Sequence, residues 1–362
     1  MPKRLTVHQD GKPAYEIVLD TDFDGLGQLT GQLGAAGRRM CIVTDSTVAG
    51  LYLEQVKKVF DSLCREVVVF VFPAGEPSKN LDTVQELYRV LIENRFDRKD
   101  WLAALGGGVV GDLCGYAAAT YLRGVSFLQI PTTLLAQVDS SIGGKTGVDF
   151  ASYKNMVGAF HMPKLVYTNV STLKTLSDEQ YSSGMGEVVK HGLIRDRAYY
   201  DWLLEHKEEI DGRNPEICLE MIAGSDEIKR RVVEEDPKEQ GIRALLNFGH
   251  TLGHALEKQL SFSMLHGHCV GLGCLAAMAV SVERGDLPEE TWISLRTLME
   301  ALGMPTSVGG IDLEAVVRDT KNDKKMDGDA IRFILLRRVG AAYIDRTVTE
   351  EEMRAGLASI LE

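Results

Sequence analysis

The chain has 362 residues, of which 44% are hydrophobic and 25% are charged. This composition is typical of a globular protein large enough for two domains. The formal net charge of −12 argues against a nucleic acid or an anionic membrane surface as a partner, although clustered cations can still bind an anionic small molecule. The six cysteines form no CxxC pair, so we expect reduced thiols and a cytoplasmic location. We expect no membrane span, because the longest apolar run, residues 269–282, suits a buried helix.

The first half of the chain predicts an α/β domain. Residues 5–8 and 15–19 alternate as the strands of an opening hairpin. Apolar runs at 40–44, 66–72, 101–105 and 127–130 predict strands, and helical spacing at 48–63, 81–95 and 109–119 predicts the helices between them. Such units are typical of a parallel sheet covered by helices. We therefore predict a Rossmann-like domain over residues 1–177 and, from the helical pattern that follows, a mainly α-helical domain over residues 178–362.

A glycine-rich turn is predicted to follow a strand and open a helix in the first domain. Gly106, Gly108 and Gly111 match the pattern GxGxxG, in which glycines let the backbone approach a pyrophosphate at a helix N-terminus. The motif lies in the third strand–helix unit, and the acidic residue Asp45 ends an earlier strand, so the usual fingerprint is not matched. A tight structural turn is the alternative. We predict a nucleotide bound across several strand ends, with residues 75–79 joining the same crevice.

The segment at residues 141–147 looks like a P-loop but lacks its first glycine, because Asp139 stands at that position. Residues 134–138 have helical spacing, so no strand immediately precedes the segment. We interpret Lys145 as a point charge for a phosphate and not as part of an NTPase.

Half of the eight histidines lie between positions 250 and 268. His250 and His254 are four residues apart and share one face of a predicted helix, opposite its apolar stripe. His266 and His268 follow in the next segment. Neutral imidazole is the commonest metal ligand, so this cluster predicts a metal or acid–base site, with a solvated helix face as the alternative. The spacing alone favours His250 and His254 as a chelating pair.

Several basic residues stand beside glycine, asparagine or histidine in this acidic chain, and together they favour an anionic small molecule: Lys145, Lys154, Lys190, Lys229, Arg243 and Lys324. Glu187 and Lys190 are three apart on a predicted helix, where a surface ion pair is the simpler interpretation.

Seven motifs, in this order, resemble the 3-dehydroquinate synthase family over nearly the whole chain: GGGVVGD at 106–112, YLRG at 121–124, PTTLLAQVDSSIGGKTG at 131–147, KN at 154–155, GMGEVVK at 184–190, LNFGHTLGH at 246–254 and DKK at 323–325. The resemblance implies an N-terminal α/β domain that binds NAD and a helical C-terminal domain that binds one divalent metal ion, Zn²⁺ or Co²⁺. It implies a homodimer. It also implies conversion of 3-deoxy-D-arabino-heptulosonate 7-phosphate to 3-dehydroquinate and phosphate in the shikimate pathway, with NAD reduced and reoxidised in each cycle.

The resemblance also implies residue roles. The metal ligands would be Glu187, His250 and His266, and the acid–base candidates would be Glu239 and His254. Arg123 would reach the neighbouring subunit's substrate. The other substrate residues would be Asp139, Lys145, Lys154, Asn155, Lys190, Lys229, Arg243, Asn247 and one of Lys324 and Lys325. The NAD residues would be Asp45, Glu76, Lys79, Gly107, Gly108, Val109, Asp112, Thr132, Thr133, Lys145, Lys154, Thr172, Leu173, Lys174 and Thr175.

One position departs from the family pattern. The family reads His-Gly-Glu where this chain reads His266, Gly267 and His268. We predict that His268 supports a ligand without binding the ion itself.

Three other functions stay open at this point: another sugar-phosphate cyclase, such as a deoxy-inosose or valiolone synthase, a metal-dependent polyol dehydrogenase, and a non-catalytic nucleotide or metal sensor. Lys229 with Arg243, suited to a substrate carboxylate, favours the dehydroquinate synthase function over these.

Overall fold

The computed structural model describes residues 2–151, 153–320, 326–327 and 330–362. The chain divides into two compact units, Met1–Thr175 and Leu176–Glu362. Within the described residues, no helix is both long enough and apolar enough to cross a membrane. All six cysteines are thiols in the described structure and not disulfides.

The first unit alternates strands and helices as the sequence predicts. Its strands are β1 Lys3–Gln9, β2 Lys12–Asp20, β3 Arg39–Asp45, β4 Glu66–Phe72, β5 Trp101–Gly106, β6 Ser126–Pro131, β7 Lys145–Phe150, β8 Tyr153–Phe160 and β9 Leu165–Asn169. Its main helices are α1 Asp24–Thr30, α2 Ser46–Asp61, α3 Leu81–Glu93 and α4 Gly108–Thr120. The predicted opening hairpin and the four predicted strands after it are confirmed. The antiparallel hairpin β7–β8 and the strand β9 were not predicted.

Seven strands form one sheet in the order β1-β2-β9-β6-β5-β3-β4. All neighbours are parallel except β1 and β2. Alternate side chains of β3 lie on opposite faces of the sheet. Met40 and Ile42 pack with α1 and α2, whereas Cys41 and Val43 pack with α3 and α4. The helices that follow the adjacent strands β3 and β5 therefore lie on opposite faces. A topological switch point of this kind is where open α/β sheets bind ligands.

The second unit is mainly helical, as predicted. Its helices are α5 Asp178–Arg195, α6 Arg197–Glu205, α7 Lys207–Asp211, α8 Pro215–Glu235, α9 His250–Gln259, α10 His266–Glu283, α11 Glu289–Ala301, α12 Leu313–Thr320 and α13 Glu350–Ala358. Its short strands are β10 Met326–Asp327, β11 Ala330–Ile331, β12 Phe333–Arg338 and β13 Ala341–Asp345. The apolar helix α10 is the centre of this unit and packs against α5, α9, α11, α13 and β12.

Small residues let α10 approach its neighbours closely. A Cβ atom at Gly186 of α5 would collide with the backbone of Gly267, and one at Gly267 would collide with the carbonyl of Ser183. The backbones of α5 and α10 therefore touch where they cross. Gly249, the N-cap residue of α9 with φ of +77°, is also in close contact with α10. These crossings bring the residues at positions 187, 250 and 266 together.

Candidate functional site

Three helices of the second unit bring four predicted site residues to one place. Glu187 comes from the middle of α5, His250 and His254 from the first turns of α9, and His266 from the first turn of α10. The ring centroid of His250 lies 5.2 Å from that of His254 and 5.4 Å from that of His266. Glu187 is distant from the histidines in the sequence, and His266 lies on a different helix from His250 and His254, so the helix crossings create this cluster.

Glu187 is 1% exposed, and its two carboxylate oxygens have different surroundings. Oε2 accepts a hydrogen bond from the buried ammonium of Lys190, whereas Oε1 accepts none from any described residue. A buried carboxylate oxygen without a donor is costly. Oε1 lies 3.4 Å from His250 Nε2 and 3.9 Å from His266 Nε2. One carboxylate and two imidazoles are a donor set that suits a divalent zinc or cobalt ion with an open position.

His254 adds a third imidazole to the cluster. Its ring centroid lies 5.5 Å from that of His266, and single nitrogen atoms of His250, His254 and His266 all lie within 4.8 Å of one another. The geometry therefore permits two ligand sets, one with Glu187 and one with three histidines. The predicted role of His254 beside the ligands stays a prediction.

Glu257 is a residue of this site that sequence reasoning missed. It lies on α9, is buried, and places Oε2 3.3 Å from His266 Nδ1. Its spacing contained a signal, because a residue seven after His250 and three after His254 lies on the same face of a helix.

The Nε2 atom of His268 faces a neighbouring helix and not the imidazole cluster. That nitrogen lies 2.9 Å from the hydroxyl oxygen of Ser182 on α5. Burial lowers the pKa of His268 below its usual value, with partial opposition from Glu179. The ring is therefore neutral near pH 7, and its contact ties the start of α10 to α5.

The predicted cations of this unit are buried, which is unusual for lysine and arginine. Lys190, Lys229 and Arg243 are each nearly inaccessible to solvent. Arg243 donates to the carbonyl of Pro237. The acid–base candidate Glu239 accepts a hydrogen bond of 3.2 Å from Asn247 Nδ2, so two predicted substrate-site residues are neighbours. The predicted Lys324, with Lys325, lies outside the described residues.

In the first unit, the predicted NAD residues follow the carboxyl ends of neighbouring parallel strands. Asp45 is the last residue of β3 and caps α2 by accepting hydrogen bonds from the backbone N–H groups of Thr47 and Val48. Gly107 is the N-cap of α4 and makes no side-chain cap, which leaves the start of that helix suited to an anion. The other predicted residues follow β4, β6 and β9 or stand at the start of α4: Glu76, Gly108, Val109, Thr132, Thr133, Thr172, Leu173, Lys174 and Thr175.

Two side chains hold these strand ends together. The hydroxyl of Tyr52 on α2 donates to the carbonyl of Thr172 and contacts the hydroxyl of Thr175. Gln137 Nε2 donates to the carbonyl of Pro131 and to the hydroxyl of Thr172. The turn after β9 is thereby fixed beside both α2 and the end of β6.

Lys79 is buried and lies at the centre of a polar network in this unit. Its Nζ lies 2.7 Å from Asp112 Oδ2 and 2.7 Å from Asn155 Oδ1. Burial lowers the pKa of Lys79, but the carboxylates of Asp112, Glu76 and Asp149 outweigh burial and raise it overall. The ammonium therefore stays charged and joins residues predicted for NAD to a residue predicted for substrate.

The other predicted residues of this unit lie in separate elements. Asp139 lies in the half-buried helical turn Ala136–Ser140, Lys145 begins β7, and Lys154 lies in β8. Arg123 is exposed in the turn after α4, where its φ is +70° and that of Leu122 is +50°. Two consecutive left-handed residues other than glycine are strained, so the backbone of this turn is held in a conformation that the residues do not favour locally.

Comparisons with known proteins give a consistent result. The chain matches two family models, one described as 3-dehydroquinate synthase N-terminal over residues 69–183 and one as 3-dehydroquinate synthase C-terminal over residues 184–326. A 3-dehydroquinate synthase from Acetivibrio thermocellus is 42% identical over 340 residues, which cover 94% of each chain.

Solved structures show the same fold. A 2-epi-5-epi-valiolone synthase from Streptomyces hygroscopicus subsp. jinggangensis, with NAD⁺ and Zn²⁺ bound, superposes with a TM-score of 0.88 at 26% identity, covering 98% of this chain and 99% of that one. A 2-deoxy-scyllo-inosose synthase complexed with carbaglucose-6-phosphate, NAD⁺ and Co²⁺ has a TM-score of 0.87 at 24% identity, covering 99% of this chain and 100% of that one. The predicted fold class, an α/β domain with a mostly parallel sheet followed by a helical domain, is confirmed.

Proposed function

The chain belongs to the 3-dehydroquinate synthase family, and from that premise we propose that it converts 3-deoxy-D-arabino-heptulosonate 7-phosphate to 3-dehydroquinate and phosphate. The reaction runs by transient oxidation, β-elimination of phosphate, reduction, ring opening and intramolecular aldol closure. The observation that best supports this proposal is the unsatisfied Glu187 Oε1 facing the Nε2 atoms of His250 and His266. A non-catalytic nucleotide or metal sensor would show no turnover, and the buried cations Lys190, Lys229 and Arg243 favour an anionic substrate over such a sensor.

Glu187, His250 and His266 are proposed to hold Zn²⁺ or Co²⁺ in the C-terminal domain. The N-terminal domain is proposed to hold NAD, with the ribose hydroxyls near Asp45 and the pyrophosphate at the start of α4. The ion supplies Lewis acidity at a substrate hydroxyl, and NAD supplies a hydride acceptor that is restored within the cycle. The remaining NAD residues are those that the family resemblance assigns.

The protein's own side chains bind the two anionic ends of the substrate. Arg243 suits the carboxylate, because guanidinium pairs with it through two hydrogen bonds, and Lys229 adds a point charge. The family resemblance assigns Asn247 to the phosphate, and the hydrogen bond that Asn247 donates to Glu239 orients its side chain. The other residues assigned to the phosphate are Lys145, Asn155 and His254. The family resemblance adds Asp139, Lys154, Lys190 and either Lys324 or Lys325 to the substrate set.

Two side chains are proposed to move protons. We propose that His254 stabilises the departing phosphate by hydrogen bonding and that Glu239 is the second acid–base group. Both residues are half-buried.

We also propose that the protein is a cytoplasmic homodimer. Its six thiols suit a reducing compartment, and closed two-fold dimers are the commonest oligomers. Arg123, exposed in its strained turn, is proposed to contribute to the phosphate site of the neighbouring subunit. Sedimentation of the purified protein, together with complementation between an Arg123→Ala variant and an inactive His250→Ala variant, tests both statements.

The decisive experiment is phosphate release with catalytic NAD, with and without a chelator. We expect release from 3-deoxy-D-arabino-heptulosonate 7-phosphate, loss of release after metal removal, and recovery on adding Zn²⁺ or Co²⁺. Glucose 6-phosphate and sedoheptulose 7-phosphate should release none, which separates this activity from other sugar-phosphate cyclases. Net NADH accumulation would indicate a polyol dehydrogenase, and absence of phosphate above background would refute the proposal.

A further inference from the structure

Glu257 is a buried carboxylate on the same face of α9 as the histidines. It is 5% exposed, and its Oε2 lies 3.3 Å from Nδ1 of His266. Burying a carboxylate is unfavourable unless it is hydrogen-bonded. An imidazole N–H is a suitable donor, so the contact favours the His266 tautomer that carries its proton on Nδ1.

The two proposed histidine ligands share one arrangement. Nδ1 of His250 lies 3.2 Å from the carbonyl oxygen of Phe248, as Nδ1 of His266 lies beside the Glu257 carboxylate. Each Nδ1 is therefore next to an acceptor, and each Nε2 faces the same oxygen of Glu187. A divalent ion held by that oxygen and both Nε2 atoms would take the Nε2 lone pairs, which leaves Nδ1 as the protonated nitrogen of each ring, beside its acceptor.

His266 needs such an acceptor more than His250 does. The side chain of His266 is 33% exposed and that of His250 is 11% exposed, so packing restrains the His266 ring less. His266 is also the first residue of α10, where the N-cap Leu265 provides no side-chain hydrogen bond. The Glu257 carboxylate supplies the restraint that packing does not.

We propose that Glu257 is a positioning residue: its carboxylate accepts from His266 Nδ1–H, fixes Nε2 as the ligating nitrogen, and makes that nitrogen a stronger donor to a divalent ion. This inference rests on the proposed metal site. Loss of a partner that orients a histidine ligand typically weakens metal binding 10–100-fold.

The test compares Zn²⁺ affinity by chelator competition and the visible spectrum of the Co²⁺-loaded protein in three variants. Glu257→Gln keeps the shape and an acceptor oxygen but removes the charge, and we expect affinity to fall about tenfold. Glu257→Ala removes the acceptor too, and we expect a loss nearer 100-fold with an altered Co²⁺ spectrum. Lys258→Gln is the matched control, because it also breaks a carboxylate contact, with Asp319 at 2.7 Å, from the adjacent position of α9. It should keep wild-type affinity and spectrum.

The outcomes are distinguishable from failure of the proposed function. If the wild-type protein binds Zn²⁺ in a Glu187-dependent manner but both Glu257 variants bind within twofold of it, only the role of Glu257 is overturned. If the wild-type protein binds no Zn²⁺, both proposals fail. Urea unfolding reports whether each variant is folded, and Glu257→Gln decides the result if Glu257→Ala is not.

Discussion

Replacing Gly249 with alanine tests whether close contact between α9 and α10 positions the metal site. Gly249 precedes His250 and has φ of +77°. A Cβ atom there would lie 2.6 Å from Cys274 Sγ, 2.7 Å from the carbonyl oxygen of Val270 and 2.8 Å from the backbone nitrogen of Cys274. Real Cβ contacts stay beyond 3.0 Å. Two of the three obstructing atoms are backbone, so α9 itself has to move.

The loss of stability expected for Gly249→Ala has two parts. A left-handed conformation costs alanine roughly 1–2 kcal/mol, and overpacking against backbone adds about 1–3 kcal/mol. The helix shift also displaces His250, whose Nε2 lies 3.4 Å from Glu187 Oε1. A displaced His250 should bind the ion about tenfold more weakly, as when a partner that orients a histidine ligand is lost.

Gly285→Ala is the matched control. Gly285 follows α10 with the same φ of +77°, and among the described residues no atom lies within 4 Å of its Cβ position. The Gly285→Ala variant should therefore lose only the stability that the left-handed backbone conformation costs alanine. Urea unfolding of the metal-free proteins gives the stability difference, expected to be about 2 kcal/mol between the variants, and chelator competition gives the affinity. Equal stability and equal Zn²⁺ affinity in the two variants would refute the reasoning.

Three further predictions concern other parts of the protein. His250→Ala should abolish Zn²⁺ binding, whereas His254→Ala should keep metal content near wild type and lose turnover; equal metal loss in both, measured by elemental analysis, would favour the three-histidine ligand set. A hydrogen bond from Arg284 lowers the pKa of Glu352 from its usual value of 4.5 to about 2. The ionised Glu352 carboxylate therefore stabilises the fold fully when the pH is above 4.5, and this stabilisation is lost as the pH falls towards 2. Glu352→Gln should make the free energy of unfolding less dependent on pH over that interval. The same pH dependence in the variant and the wild-type protein would contradict this prediction. Asp45→Ala should lose about 1 kcal/mol because α2 loses its cap, whereas Asp45→Asn should keep the cap; both should weaken NAD binding by calorimetry, and full affinity in either would exclude Asp45 from the NAD site.

Local periodicity was sufficient for most of the first unit. The apolar run of β4 and the one-sided spacing of α3 determine a buried strand and an amphipathic helix wherever they lie, because each has to bury its apolar side. The hairpin β7–β8 had no such signal, since β8 exposes residues on both faces. The strand β9 has only five residues, all buried, and its place between β2 and β6 depends on pairing with strands distant in the sequence.

The site, too, depends partly on local sequence patterns and partly on contacts between segments that are distant in the sequence. The sequence by itself determined that His250 and His254 share a helix face and, through its motifs, which family the chain resembles. It also contained the spacing that puts Glu257 on that face, but not which histidine it contacts. Only the tertiary structure decided that Glu187 Oε1 faces the Nε2 atoms of His250 and His266. The physical reason is that this contact depends on the glycine-mediated crossing of α10 with α5 and α9, and helix crossings are set by packing between distant segments, which no local pattern records.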